Sequence, residues 1–249
     1  MNDKVEQIIR EKNLALFDDC GVAVCRVADA EKGFDLATEI LYKIVDRKSV
    51  LYLSGGRTPK EFYARLAKEE RLMPGAAGLI DERFGLKWHE NSNEKMIRDS
   101  GLLRYFEILD IPFNPILLGH LFEPEHKPQS RRPEFISGSN DEKMLKPSFA
   151  EATAGRQVQH DKERKRTAEA YDAKLRVSQS TFQKHVGILG IGKDGHTVGI
   201  PAKLPITNYQ FSNNIYNTKE FVMEYDDRGK YGERVTMSIL GQLEHHRQL

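Results

Sequence analysis

The chain has few of the features that mark membrane, secreted or metal-binding proteins. It holds only two cysteines, Cys20 and Cys25, and their spacing fits neither a metal site nor a redox motif. No apolar run approaches the roughly eighteen residues that a membrane span requires. The N-terminus also lacks the apolar core of a signal peptide. We therefore expect a soluble, cytoplasmic protein with reduced cysteines and no membrane partner.

An excess of charge of either sign is also absent. The 249 residues include 38 lysines and arginines against 37 aspartates and glutamates, which gives a net charge of +1. This balance gives no reason to expect nucleic acid as a partner. The sequence contains no nucleophilic serine motif of the G-x-S-x-G kind and no zinc-ligand spacing. We accordingly predict neither a bound metal nor a cofactor.

The length suits a single α/β domain that spans residues 1–249. Residues 1–20 predict an N-terminal helix of mixed polarity. Residues 122–162 are rich in Pro, Ser, Lys, Arg and Glu and have little periodic apolar content. Because ordinary loops are much shorter than this segment, we predict a disordered insertion at about 122–162. The periodic apolar residues of 167–177 predict a helix after it.

Residues 186–201 read V-G-I-L-G-I-G-K-D-G-H-T-V-G-I-P and carry the strongest chemical signal. Their apolar, β-branched start predicts a buried parallel strand. The glycines that follow allow the backbone to approach a ligand closely. Asp194 and His196 come with this turn, at the sheet edge where open α/β proteins bind ligands. We expect the chemistry of the protein to lie here.

The spacing Gly190-x-Gly192-x-x-Gly195 also matches the dinucleotide-binding fingerprint. That motif must open a long helix, and an acidic residue should contact the ribose about twenty residues later. Pro201 follows the last glycine by six residues, which leaves little room for a helix. The strand-like region 215–218 carries no acid at its end. Binding of a nicotinamide or a flavin is therefore the weaker interpretation.

A second candidate site follows the predicted strand Ser49–Leu53, where the sequence continues S-G-G-R-T-P. Thr58 predicts a helix N-cap, with Pro59 at the first helical position. Free N–H groups at a helix start attract anions, and the guanidinium of Arg57 matches phosphate oxygens. The alternative is a plain strand–turn–helix unit with an exposed arginine. Phosphate binding is the interpretation that we favour.

Further charged residues lie next to two other predicted strands. The letters D-E-R come directly after apolar residues 77–80, and a helix is predicted from about Ser92 through Phe106. Arg234 stands at the start of the strand predicted within 231–239. Residues that follow parallel strands meet at one edge of the sheet. A solvated loop is the alternative for D-E-R, since charge runs usually are solvated.

Four blocks thus stand in one order: S-G-G-R-T-P, D-E-R with S-N behind it, G-I-G-K-D-G-H-T, and E-R-V-T-M-S. Together they resemble the 6-phosphogluconolactonase family, which is related to the glucosamine-6-phosphate deaminases. The resemblance spans roughly residues 22–239 without the insertion. It implies an open, Rossmann-like α/β fold with a mostly parallel sheet and helices on both faces. It also implies a carboxylic ester hydrolase that converts 6-phosphogluconolactone to 6-phosphogluconate in the pentose phosphate pathway.

The resemblance implies roles for individual residues. His196 would be the general base that activates water toward the lactone carbonyl, and Asp194 would orient or polarise it. The residues that would bind the substrate, a small-molecule sugar phosphate, are Gly55, Gly56, Arg57, Thr58, Asp81, Arg83, Asn93 and Arg234. Because a lactone is an activated ester, a base of near-neutral pKa and an anion clamp suffice without a metal.

Two other functions stay open. In the deaminase branch, the glycine–histidine loop continues into a segment that carries an acid, whereas residues 197–201 contain none. The family also continues past the R-V-T strand into a helix and a final strand–helix unit. The resemblance therefore implies a chain truncated at its C-terminus, and a non-catalytic sugar-phosphate-binding remnant is the third hypothesis. The sequence implies no particular oligomeric state.

Overall fold

A computed structural model describes residues 3–12, 16–19, 22–117, 149–200, 218–226 and 232–238. The helices in these segments are α1 (Asp3–Glu11), α2 (Ala30–Ile44), α3 (Arg57–Glu69), α4 (Asn93–Asp99), α5 (Leu102–Ile108) and α6 (Phe149–Thr181). The strands are β1 (Leu16–Asp19), β2 (Val22–Cys25), β3 (Ser49–Leu53), β4 (Ala76–Leu79), β5 (Asp81–Arg83), β6 (Phe113–Asn114), β7 (Lys184–Ile188), β8 (Val222–Asp226) and β9 (Glu233–Met237).

Four strands form a parallel sheet in the order β6-β4-β3-β7. Its inner strands β3 and β4 are buried along their whole length, as is typical of parallel strands covered on both faces. Tyr52 of β3 pairs with Gly78 of β4. A Cβ at Gly78 would lie 2.8 Å from the hydroxyl of Tyr171, so this face packs against α6. Right-handed crossovers place α3, α4 and α5 on the other face, because the chain turns back across the sheet only after β6.

A smaller antiparallel sheet, in the order β5-β9-β8, adjoins the parallel one. Ile80 joins the two sheets: its N–H donates to the Leu53 carbonyl (3.0 Å), and its carbonyl accepts from Met237 N (2.8 Å). Tyr171 secures the same junction, because its hydroxyl donates to the Leu79 carbonyl (2.6 Å) and accepts from Leu79 N (2.9 Å). Asp81 therefore begins β5 directly beyond a fixed point of the backbone.

The predicted fold class is confirmed, since the chain is α/β with a parallel central sheet and helices on both faces. Strand β3 occupies the predicted residues Ser49–Leu53. Ser92 caps α4, as its side chain accepts a hydrogen bond from Lys95 N (3.1 Å). Among the helices of the described segments, none has the length and apolarity needed to cross a membrane.

Two predicted helices are wrong in extent. The N-terminal helix predicted for 1–20 ends at Glu11, and residues Leu16–Asp19 form β1, which pairs antiparallel with β2. Strand pairing over this short span outweighs the local polarity on which the prediction rested. The helix predicted through Phe106 is divided into α4 and α5 at Gly101, whose φ of 89° lies in the left-handed region. Glycine adopts that conformation without the steric cost of a side chain.

The disordered insertion predicted for 122–162 is wrong for its last part. Helix α6 begins at Phe149 and continues without a break to Thr181, so residues 149–162 are helical. The segment contains three alanines and two glutamines, which favour helix without needing apolar periodicity. Residues 122–148 lie outside the described segments.

Candidate active site

The ends of β3 and β7 meet at the point where the strand order of the parallel sheet reverses. The chain runs outward from β3 through β4 to β6 and then returns to β7 on the other side of β3. Ser54 N donates to the Ile188 carbonyl (3.2 Å), and Gly190 N donates to Ser54 Oγ (3.1 Å). Open α/β proteins bind their ligands in the crevice at such a switch point. Both glycine-containing segments singled out in the sequence begin here.

The first segment leads into α3, whose N-cap is Gly56 and whose first residue is Arg57. The prediction of Thr58 as the N-cap is wrong by two positions. Gly56 has a φ of 120°, which only glycine adopts readily, and this conformation starts the helix earlier. No side chain of the described residues caps the helix, so its first N–H groups can bind an anion. The side chains of Arg57 and Thr58 are exposed beside them.

Gly55 lies against Asn93, the first residue of α4. A Cβ on Gly55 would lie 1.9 Å from Asn93 Oδ1, so a side chain at position 55 would push the two segments apart. The amide of Asn93 also donates from Nδ2 to the Asp81 carbonyl (2.9 Å). Asn93 therefore fixes the distance between the start of α3 and the start of β5.

The second segment follows β7 and carries Asp194 and His196. The loop closes on itself, because Gly192 N donates to the His196 carbonyl (2.7 Å) and Thr197 Oγ1 donates to the Gly190 carbonyl (3.1 Å). A Cβ at Gly192 would lie 2.1 Å from His196 Cε1, so the imidazole packs directly on the glycine backbone. Glycine at this position is thus a requirement of the ring's placement.

A short hydrogen bond joins His196 Nδ1 to Asp194 Oδ1. An ionised carboxylate only accepts, so Nδ1 carries the proton, and in the neutral ring the basic lone pair is on Nε2. The imidazole is partly exposed, with 33% of its side-chain surface accessible. This is the arrangement by which a carboxylate orients a histidine that acts as a general base.

Asp81 and Arg234 form a buried ion pair beside Asn93. Arg234 Nη1 lies 3.1 Å from Asp81 Oδ2, and the two side chains are 8% and 4% exposed. The other carboxylate oxygen, Asp81 Oδ1, is buried and has no hydrogen-bond partner among the described residues. A buried acceptor without a donor is costly. Asp81 Oδ1 is therefore a group that a ligand hydroxyl could satisfy.

Arg83 is the second guanidinium at this edge. Its Nη1 donates to the Asn91 carbonyl (2.8 Å) and to Asn93 Oδ1 (3.0 Å). Burial lowers the pKa of Arg83, and repulsion from the nearby Arg234 lowers it further. Two guanidinium groups thus lie close together with Asp81 as their acidic neighbour. Such an arrangement attracts an anion.

The segments that surround the site contact one another in a closed series, which we call the circuit. On one side, a Cβ at Gly190 would lie 3.3 Å from Pro59 Cγ, which places the loop after β7 against α3. On the other, a Cβ at Gly199 would lie 2.7 Å from Arg234 Cδ. Thr236 Oγ1 donates to the Val198 carbonyl (2.9 Å) and attaches the same loop to β9.

The structure brings most of the predicted site residues into this circuit. Those linked by contacts are Gly55, Asp81, Arg83, Asn93, Asp194, His196 and Arg234. Gly56, Arg57 and Thr58 lie at the exposed start of α3. Their side chains make no hydrogen bond to the other predicted residues within the part of the chain that the structure describes.

Glu82 is a buried carboxyl that the sequence did not single out. It accepts hydrogen bonds from Arg83 N (2.8 Å), Ser92 Oγ (2.9 Å), Asn93 N (2.7 Å) and Glu94 N (2.9 Å). Burial raises the pKa of Glu82 to about 7, although these four donors act in the opposite direction. A charge run predicts a solvated loop, so no local signal marked this residue as buried.

Within the described segments, one group of side chains has metal-ligating chemistry. His160, Asp161 and Glu233 place possible ligand atoms within 4.8 Å of one another. Arg164 already bonds to this group, with Nη1 2.7 Å from Glu233 Oε1 and 3.2 Å from Asp161 Oδ1. The guanidinium of Arg164 therefore already supplies the positive charge that a metal ion would bring, and these residues do not fit a metal site.

The fold and the arrangement of the predicted site residues together define a class: an open, doubly wound α/β protein with glycine turns, an Asp194–His196 pair and the buried arginine Arg234 near the carboxyl edge of its parallel sheet. Neither a protein-family model nor a curated protein matches the chain. Solved structures do match it. Their likeness identifies the particular fold within this class.

The chain is similar to the 6-phosphogluconolactonase of Plasmodium vivax, with a TM-score of 0.54 and 16% sequence identity over 94% of this chain and 76% of that one. It is also similar to the 6-phosphogluconolactonase of Thermotoga maritima, with a TM-score of 0.50 and 19% identity over 84% and 72% of the two chains. The chain therefore has the fold of 6-phosphogluconolactonases. The resemblance found in the sequence motifs is confirmed at the level of the fold.

Proposed function

We propose that the protein hydrolyses 6-phosphogluconolactone to 6-phosphogluconate, a reaction of the pentose phosphate pathway. The observation that carries this proposal is the Asp194–His196 pair at the switch point, in the same circuit of contacts as Arg83 and Arg234. A base and an anion clamp are the two elements that lactone hydrolysis requires. The common fold with known lactonases adds support.

In the proposed reaction, His196 acts as the base. Its Nε2 removes a proton from water, and the water oxygen forms a bond to the lactone carbonyl carbon. Asp194 stabilises the resulting imidazolium through the hydrogen bond at Nδ1. The tetrahedral intermediate then collapses, the bond from the carbonyl carbon to the ring oxygen breaks, and that oxygen takes the proton from His196. The carboxylic acid product ionises at neutral pH and releases one proton.

The phosphate of the substrate would occupy the cationic side of the site. The N–H groups at the start of α3, with no side chain capping them, and the exposed guanidinium of Arg57 offer one set of donors. Arg83 and Arg234 offer charge at the neighbouring edge. A bound phosphate dianion fixes the position of the lactone carbonyl relative to His196. The attacking water then meets the carbonyl carbon in a defined orientation, which favours the reaction.

Asp81 has a different part in the proposal. Its unpartnered Oδ1 accepts a hydrogen bond from a sugar hydroxyl, which a lactone without a free hydroxyl group cannot donate. A polar group that is buried without a partner discriminates strongly against ligands that cannot satisfy it. The site is therefore expected to prefer sugar lactones over simple aliphatic ones.

Asp81 also favours a second candidate, the glucosamine-6-phosphate deaminase reaction. That reaction moves protons between sugar carbons and expels ammonia, so it needs more positioned acid–base groups than lactone hydrolysis. A buried carboxylate with an unpartnered oxygen could serve as one of them. Residues 197–201 contain no acid, however, and the loop offers only Asp194 beside His196. The lactonase reaction is the better supported of the two.

A proton-release assay tests the proposal. Because lactones hydrolyse without a catalyst, the assay is run cold and slightly acidic, and His196→Ala serves as the blank. We expect wild-type protein to release protons from 6-phosphogluconolactone at least about a hundredfold faster than this variant, as losses of a general base typically show. Lys193→Ala is the matched control, because Lys193 is exposed in the same loop. It should keep full activity.

Other outcomes separate the remaining hypotheses. Ammonia release from glucosamine 6-phosphate would replace the lactonase assignment with the deaminase one. Binding of 6-phosphogluconate without either activity would identify a sugar-phosphate-binding remnant. Equal rates for wild-type and His196→Ala would remove His196 from the mechanism. A chelator should leave lactonase activity unchanged, since the proposed steps use only side chains of this chain.

A further inference from the structure

His89 lies in the middle of the loop that joins β5 to α4, and its ring contacts the backbone on both sides. Its Nε2 lies 3.1 Å from the Arg83 carbonyl. Its Nδ1 lies 3.2 Å from Asn91 N. The side chain thus connects the residue at the start of the loop with one near its end.

These two partners determine the tautomer of the ring. A backbone N–H can only donate, so Nδ1 of His89 must present a lone pair to Asn91. A backbone carbonyl can only accept, so Nε2 must carry the proton that goes to Arg83. His89 is therefore the neutral Nε2–H form. Gly85 lies against the ring, and a Cβ there would be 3.1 Å from His89 Cδ2, which leaves little room for the ring to turn.

The backbone at Asn91, which the imidazole of His89 contacts, also holds the guanidinium of Arg83. Its Nη1 donates to the carbonyl of Asn91, the residue whose N–H the imidazole holds. The ring fixes Asn91 relative to the Arg83 backbone, and Asn91 fixes the end of the Arg83 side chain. Backbone, imidazole and guanidinium form one closed set of hydrogen bonds.

The rest of the loop is held in one geometry despite strain. Trp88 has a φ of 61°, a left-handed conformation that bulky residues rarely adopt. Its indole donates from Nε1 to Glu94 Oε1 (2.9 Å), and Lys87 and Arg98 lie over its ring at 4.8 and 4.4 Å from the centroid. Strain of this kind persists only where the surrounding contacts over-determine the backbone. The loop is therefore built to keep a single conformation.

We propose that His89, as the neutral Nε2–H tautomer, is the positioning residue that holds the Arg83 guanidinium ready for the phosphate of the ligand. The proposal rests on the proposed function in that Arg83 contacts a sugar phosphate. Without His89, Asn91 would be less firmly held and Arg83 would keep only its bond to Asn93 Oδ1, so more of its side-chain freedom would be lost when the ligand binds. That ordering would weaken binding roughly three- to tenfold.

Each of two substitutions at position 89 removes one of the two hydrogen bonds that the His89 ring makes. In His89→Asn, the amide oxygen replaces Nδ1 as the acceptor for Asn91 N, and the bond to the Arg83 carbonyl is lost. In His89→Gln, the amide nitrogen replaces Nε2 as the donor to Arg83, and the bond from Asn91 is lost. Because Asn91 contacts the guanidinium directly, His89→Gln should weaken binding more than His89→Asn. Glu90→Ala, at an exposed position of the same loop, is the control.

Nitrogen-15 NMR of the histidine and arginine side chains tests the proposal independently of any activity. We expect a pyridine-type Nδ1 and a pyrrole-type Nε2 for His89, and an Arg83 side chain that is rigid in wild type and Glu90→Ala and mobile in His89→Gln. Protonation of Nδ1 in place of Nε2 would overturn the proposal. An Arg83 side chain that stays rigid in both His89 variants would overturn it as well.

Calorimetric titration with 6-phosphogluconate then connects the two proposals. Weaker binding by His89→Gln than by wild type, with unchanged binding by Glu90→Ala, supports the positioning role. If wild-type protein does not bind 6-phosphogluconate, the proposed function is refuted, and the NMR signals of His89 and Arg83 still decide the role of His89. A thermal melt of each variant shows whether it is folded.

Discussion

Glu82 links the ionisation of one buried carboxyl to the start of α4. Its side chain accepts from the N–H groups of Asn93 and Glu94, the first two residues of the helix, and from the capping residue Ser92. The carboxyl thus holds Asn93, which accepts a hydrogen bond from Arg83 and lies against Gly55. Any change in its charge acts on the site through Asn93.

The raised pKa of Glu82 makes stability depend on pH. The pKa of Glu82 is about 7 in the folded protein, against an ordinary value of 4.5 for the unfolded chain. Between pH 4.5 and pH 7 the unfolded chain therefore releases a proton that the folded chain keeps. The stabilising contribution is complete below pH 4.5 and is lost as pH rises through 7. Over this window the free energy of unfolding should fall by roughly 3 kcal/mol.

Urea unfolding at a series of pH values measures this effect. Glu82→Gln should be less stable at every pH, because an amide cannot accept all four donors. It should also lose the part of the pH slope that comes from Glu82. Glu90→Gln, at an exposed position, should keep the wild-type slope. An unchanged slope in Glu82→Gln would assign the pH dependence to other groups.

At the scale of residues, the sequence predicted what is local. Asp194 and His196 stand two positions apart on one glycine-rich loop, so their contact follows from the chain itself. Glu82 and Tyr171 were not predicted as important, because their partners are defined by packing. A glutamate in a charge run and a tyrosine on a helix face give no sign that one will be buried among four donors and the other will hold a strand end.

The start of α3 is an element whose chemistry comes from the backbone. With Gly56 as the N-cap and no side-chain cap, the helix presents its first N–H groups and its positive dipole end to the crevice. Lys60 N already donates to the Gly56 carbonyl (3.1 Å), so the helical bonds begin at once. Arg57 adds a charge at the same end.

Arg57→Ala should raise the Michaelis constant for 6-phosphogluconolactone about tenfold, because a charge-assisted hydrogen bond to the phosphate is lost. The unphosphorylated gluconolactone should show little change. Steady-state rates with both lactones measure the difference, and Lys60→Ala, at an exposed position in the first turn of α3, is the control. Equal effects on the two substrates would mean that Arg57 does not bind the phosphate.

Element boundaries were predictable where apolar pattern and turn residues agree, as for β3. They were not predictable where a backbone conformation decides. Gly56 is the N-cap of α3, two residues before the predicted cap Thr58, and Gly101 divides the helix predicted after Ser92. The early start of α6 at Phe149 was missed for another reason, since helix-favouring residues need no apolar stripe.

At the scale of the whole molecule, Arg164 attaches α6 to the antiparallel sheet. Its side chain is 8% exposed and bonds to Glu224 of β8 at 2.5 Å and to Glu233 of β9 at 2.7 Å. Asp161 completes its surroundings. The helix that covers one face of the parallel sheet is thereby tied to the strand that carries Arg234.

Replacing Arg164 with methionine should lower the free energy of unfolding by about 2 kcal/mol. Fully buried pairs lose roughly 3–5 kcal/mol when one partner is removed, and the effect is smaller here because the acids are partly exposed. Chemical denaturation measures the change. Lys165→Met is the matched control, since Lys165 is exposed and its pair with Glu169 is 4.0 Å apart. A loss no larger than that of the control would show that Arg164 does not bind the sheet to the helix.

The overall class could be predicted because strands, glycine turns and helices alternate along the sequence. The pairing of β5 with β9 in the antiparallel sheet could not, because these two strands lie far apart in the chain and pair through contacts that no local pattern records. The site shares this property. Four motifs in one order indicated which residues belong together, and only the fold shows how Asn93, Asp81 and Arg234 connect them.

The ion pair between Asp81 and Arg234 joins positions that are 153 residues apart, and Tyr171 reaches Leu79 across 92. Closing such long loops costs chain entropy before the contact returns any free energy. Contacts of this kind therefore slow folding, whereas the nearer strands β3 and β4 can pair early. The order of assembly follows from this difference. The newly made chain would pair β3 with β4 early and gain its ability to hold a ligand last.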